Sequence, residues 1–82
     1  MADRVALTQA VQLALDGQWD AAHAIVQQDE EDPLSCWIHA VLHKIEGDTA
    51  NARYWYARAG HSYEAYADPR AELLTLRAAL TY

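Results

Sequence analysis

Residues 32–60, DPLSCWIHAVLHKIEGDTANARYWYARAG, decide the fold. Asp32 followed by Pro33 is a helix start. The aspartate can accept from the first free backbone N–H groups, and proline suits the first helical position, where its missing N–H is not needed. Gly47 ends that helix, because the left-handed backbone of a C-terminal cap costs glycine little. Asp48 then caps a second helix and Gly60 ends it. Between these signals Leu34, Ile38, Val41, Leu42 and Ile45, then Ala52, Trp55, Tyr56 and Ala59, recur at helical spacing. The stretch therefore predicts two helices, about 33–46 and 49–59, joined by a Gly-Asp turn.

The same punctuation extends outward. Gly17 follows VALTQAVQLALD, and Asp68-Pro69 repeats the Asp-Pro start. Leu7, Val11, Ala14 and Leu15 make one apolar face, Trp19, Ala22, Ile25 and Val26 another, and Leu73, Leu76 and Leu80 a last one. No segment alternates apolar and polar residues long enough for a strand. The expectation is an all-α domain spanning 1–82, with five helices at about 3–16, 19–29, 33–46, 49–59 and 69–81. Residues 60–68 stay open between an anchor through Tyr63 and Tyr66 and a short extra helical turn.

A repeat lies within this pattern. Aligning LDGQWDAAHAIVQQ with IEGDTANARYWYARA puts Gly17 on Gly47, Ala22 on Ala52 and Val26 on Tyr56, an offset of 30 residues. Glycine, then alanine five positions on, then a bulky residue at nine resembles the second half of a tetratricopeptide repeat (TPR), whose usual period is about 34. Glycine closes the first helix and alanine lets the second approach it. The resemblance implies two TPR-like hairpins, about 3–29 and 33–59, with a capping helix at 69–81 over the open end. Trp19 has only Thr49 as its counterpart.

Composition narrows the function. The net charge of −6 and six scattered Lys and Arg argue against tracking a phosphate backbone, so neither nucleic acid nor an anionic membrane is an expected partner. No apolar run approaches the roughly 20 residues that span a bilayer. The N-terminus, MADRVALTQA, lacks the pattern of a signal peptide. Cys36 is the sole cysteine, which fits a reducing, cytoplasmic setting. Seventeen alanines and no phenylalanine point to closely packed helices. A chain this small buries a modest share of its surface, so a homodimer is compatible with it.

The chemistry concentrates in the second hairpin. On a helical wheel His39, His43 and Glu46 form a polar stripe beside the apolar one, and Asn51, Tyr54 and Arg58 form another on the next helix. If the stripes share a side, they line a polar groove with Trp55 as an aromatic wall. Such a groove suits a peptide segment, a protein partner or a small anion gripped by Arg58. The alternative is an enzyme or metal-dependent protein, with His39, His43 and Glu46 as ligands or acid–base groups for zinc or another divalent metal. This is not HExxH, since Ala40 stands where the glutamate would be. Ser35 and Cys36 fall on different sides of the helix, so no nucleophile with a committed base is evident and no catalytic residue is assigned. The structural alternative has Glu46 pairing with Arg58 and the histidines packing against neighbours. His23 reads as isolated on a polar face, 27–32 as a solvated acidic turn, and His61 as part of a C-terminal cap.

The pattern W-x-H-x-x-x-H-x-x-E-G-D-x-x-N-A-x-Y-W-Y-x-R-x-G, from Trp37 to Gly60, resembles a motif in an uncharacterised family of small helical bacterial proteins with longer relatives in fungi. The resemblance implies that the two polar stripes belong to one shared feature, and it carries no activity with it. Family versions place a second basic residue beside Arg58, where this chain has Ala57.

Overall fold

The computed structural model describes residues 3–81 of the chain. It is helical, in the order α1 (Arg4–Leu15), α2 (Trp19–Val26), α3 (Pro33–Glu46), α4 (Thr49–Ala59), a 3₁₀ turn (Tyr63–Ala65) and α5 (Pro69–Thr81). No strand occurs among the described residues. No described helix is long and apolar enough to cross a membrane.

Local chemistry sets these ends. Asp32 Oδ1 accepts from the backbone N–H of Leu34 at 2.8 Å and of Ser35 at 3.2 Å, with Pro33 opening the helix. Asp48 Oδ1 accepts from Asn51 N–H at 3.2 Å. Gly47 takes φ 86°, so the N–H of Asp48 can reach back to the His43 carbonyl at 3.0 Å. A Cβ at Gly47 would touch nothing within 4 Å, so backbone conformation alone calls for glycine there. α2 stops at Val26, three residues short of its expected end. Asp29 Oδ1 accepts from the N–H groups of Glu31 and Asp32, turning the chain before α3 begins.

α3 is the central helix. Its nine residues from Ser35 to His43 are all buried, and it packs against α1, α2, α4 and α5. A helix covered on every side shows no simple two-faced pattern. That is why the wheel set His39 and His43 on a polar stripe beside the apolar one. Ile38, Val41 and Leu42 form the middle of a shared core with Leu7 and Val11 of α1, Val26 of α2, Trp55 and Tyr56 of α4, and Leu73 and Leu76 of α5. Ala22 and Ala52 are fully buried where their helices pack. Ile45, expected on the apolar stripe, is 44% exposed.

α5 packs its backbone along α1 and α3, and reaches α4 through side chains alone. The expected cover over the open end of the second hairpin therefore lies across the first helices of both hairpins. Between α4 and α5, Ser62 caps the 3₁₀ turn, Arg53 pairs with Glu64, and Tyr63 and Tyr66 pack partly buried against the core. Both expectations for residues 60–68 are thus combined.

Candidate functional site

The side chains of α2 and α3 meet in a cluster of three histidines. On α3, His39 and His43 stand one turn apart, 3% and 6% exposed, with ring centroids 5.0 Å from one another. On α2, Trp19 and His23 also stand one turn apart, their rings stacked at 4.6 Å. His23 Nε2 lies 3.1 Å from His39 Nε2. One nitrogen from each of His23, His39 and His43 falls within 4.8 Å of the others.

Aromatic rings fix this group on two sides. Trp19 donates its indole N–H to the Leu42 carbonyl at 2.6 Å and turns an edge toward His43, centroids 5.8 Å apart. Trp55 of α4 stacks on His39 at 3.9 Å, the planes 14° apart. Glu46 holds the third ring: His43 Nδ1 and Glu46 Oε1 are 2.5 Å apart, so His43 donates its Nδ1 proton there, which leaves Nε2 for any other partner.

His39 is treated differently. Its Nε2 faces His23, and its Nδ1 is buried with no partner among the described residues. Either tautomer of His39 leaves one ring nitrogen unsatisfied. Burial, then the neighbouring His23 and His43, push its pKa down to about 3, so it is neutral near pH 7. Burial, followed by His43, also lowers the pKa of His23.

Of the residues expected at the site, His39, His43, Glu46 and Trp55 come together. Arg58 and Tyr54 lie at its outer edge. The Arg58 guanidinium sits 5.6 Å from the Trp55 ring and 5.9 Å from the Tyr54 ring, and donates to the Glu30 carbonyl at 2.8 Å. Tyr54 is 55% exposed. Asn51 stands apart, exposed at the start of α4, and its backbone N–H serves the Asp48 cap. The Glu46–Arg58 pair expected of a structural network does not form, since each has another partner. Ser35 Oγ donates to the Val26 carbonyl and Cys36 Sγ to that of Glu30. Burial raises the Cys36 pKa, which disfavours the thiolate a nucleophile needs.

Three features escaped the sequence reading. His23 is a member of the cluster, not an isolated surface residue, and its signal was Trp19 four positions earlier on the same helix face. The second is a buried ionic network on the α5 side of α3. Glu72, fully buried, accepts from Trp37 Nε1 at 2.8 Å, from Tyr56 Oη at 2.7 Å and from Lys44 Nζ at 2.9 Å. Lys44 also donates to the carbonyls of Tyr63 and Tyr66, so all three of its protons are used. Burial and the Glu72 carboxylate push the Tyr56 pKa up. The available signal was register, since Glu72 precedes Leu76 and Leu80 at four-residue steps. His61 is a further addition. Its N–H bonds the Tyr56 carbonyl, as expected of a cap, while its ring stacks on Trp37 at 3.7 Å.

Comparison with models of known families, with curated proteins and with solved structures finds no match for this chain.

Proposed function

We propose that the chain is a non-enzymatic binding module whose recognition surface is the outer edge of α4, where Arg58 lies over Trp55 and Tyr54. The observation that carries this is the exposed guanidinium held beside two aromatic rings. One of its nitrogens bonds the Glu30 carbonyl, Cys36 and Tyr54 also interact with the guanidinium, and its exposed, fork-shaped cation suits a carboxylate or similar anion. Arginine and tyrosine also dominate the energetics of protein recognition surfaces. The expected ligand is a free peptide carboxylate or a small anion, with Tyr54 and Trp55 contacting the rest. Asn51 lies outside this edge and has no part in it.

The TPR-like reading belongs with this proposal. Its support is the shared glycine-to-alanine spacing of the hairpins and the burial of Ala22 and Ala52. The α5 helix occupies the surface along α1 and α3 that a simple two-repeat stack would leave open. That leaves the α4 edge for recognition. The resemblance of residues 37–60 to the bacterial and fungal motif supports a shared feature, and a cytoplasmic setting rests on the lone Cys36 thiol.

NMR titration tests the proposal with short peptides carrying either a free or an amidated C-terminus. Free-carboxylate peptides should shift the signals of Arg58, Tyr54 and the Trp55 indole, and Arg58→Ala should remove the response. Equal responses to both peptides, or none at these residues, would show the surface to be something else.

A further inference from the structure

We infer that His23, His39 and His43 form a binding site for one divalent transition-metal ion of the zinc class, distinct from the Arg58 edge. Three imidazoles from two adjoining helices present nitrogens within 4.8 Å of one another. A tetrahedral zinc site with bonds of about 2.0–2.1 Å needs ligand nitrogens about 3.3 Å apart. The His23 and His39 Nε2 atoms, at 3.1 Å, already meet that spacing. A nitrogen of His43 lies within 4.8 Å of the other two, so its ring would have to move inward to close the set.

Part of the surroundings matches a metal centre. Glu46 accepts the Nδ1 proton of His43, an arrangement that orients a ligating imidazole and raises its basicity. Trp19 over His23 and Trp55 over His39 restrict the other two rings. His39 is also poorly suited to a purely structural place. It is 3% exposed and holds an unpartnered Nδ1, where an apolar side chain would leave no buried polar atom. An all-imidazole set selects zinc, cobalt, nickel or copper over magnesium and calcium, which take oxygen ligands. Three ligands leave one of four positions to water or an incoming donor.

The ligand set differs from His39, His43 and Glu46, the set suggested by spacing, because Glu46 is engaged with His43 Nδ1. His43, Glu46 and Asp48 also lie close together. There Asp48 is committed to its helix cap and both carboxylates are exposed, so the three-histidine cluster is the better-built site.

The test uses chelator-stripped protein titrated with Co²⁺ as an optical probe and Zn²⁺ as competitor. The expected result is one Co²⁺ per chain, with a visible absorption band that one equivalent of Zn²⁺ removes. Saturating Zn²⁺ should raise Tm by at least about 5 °C. Ring ¹⁵N signals of His23, His39 and His43 should shift with Zn²⁺, while His61, stacked on Trp37, should not. His23→Gln, at a half-buried position, should weaken Co²⁺ binding at least about tenfold. Glu46→Gln should weaken it roughly 10–100-fold and keep the one-to-one stoichiometry. No saturable binding by folded parent, or a shift of His61 in place of the three clustered rings, overturns the site. So does parent-like affinity in His23→Gln.

Discussion

α3 carries a buried polar cluster on each of two sides, and the two are built on opposite terms. Toward α5, Glu72 accepts from Trp37, Tyr56 and Lys44, and Lys44 spends every proton on that carboxylate and two carbonyls. Toward α2, His39 faces another imidazole and leaves Nδ1 without a partner. A fully satisfied ionic network rigidifies a core and is costly to break, whereas a partly satisfied one holds its helices less firmly. The difference separates the cluster that holds the helices together from the cluster that is prepared to bind.

Removing Glu72 should have the largest effect. Glu72→Leu leaves Lys44 buried without its counter-ion and should destabilise by about 3–5 kcal/mol. In chemical denaturation the variant should be largely unfolded or have lost most of its stability. A loss under about 1 kcal/mol would mean that the network is not what holds α5.

Acid should act on the other cluster. The folded pKa of His39 is about 3 against an ordinary 6.5, with His23 and His43 facing it, so below pH 6.5 the unfolded chain binds a proton that the folded chain refuses. Stability should therefore be level above about pH 7 and fall by about 2 kcal/mol between pH 7 and pH 5 from His39 alone. The lowered pKa of His23 adds in the same direction. Urea titrations across that range, with chelator present, check the slope.

Tyr56→Phe deletes one hydroxyl from the satisfied side while keeping the ring in the core. It should cost about 1–2 kcal/mol, since Glu72 keeps Trp37 and Lys44 as donors. His39→Leu should have the smallest effect, within about 1 kcal/mol of the parent at pH 7 in chelator, because removing the unpartnered nitrogen offsets the lost stacking on Trp55. It should also remove the His39 share of the acid slope. If His39→Leu cost as much as Glu72→Leu, the two clusters would not differ in kind.

The bounds of α3, α4 and α5 were legible because Asp-Pro, Gly-Asp and Gly act through backbone geometry within a few residues. The end of α2 was not, since Asp29 turns the chain by bonding its own successors, in a stretch whose charges suggested only solvation. His39, His43, Glu46 and Trp55 were visible as one motif. Their burial was not, because a helix wheel ranks faces by polarity and α3 is covered all round. His23 and Glu72 were missed for the same reason: each is a polar residue whose partners come from another helix, and one sequence carries no pairing information between helices. Asn51 shared a wheel position with the site and nothing more.

The position of α5 has a consequence in time. Arg77 reaches Gln12 across 65 residues, and Arg4 reaches the Leu80 carbonyl across 76. During synthesis at about 5–20 residues per second, α1 emerges several seconds before the helix that shields it. Through that interval α1 can pack only on α2 and α3, and the side of it that α5 takes stays open until that helix arrives.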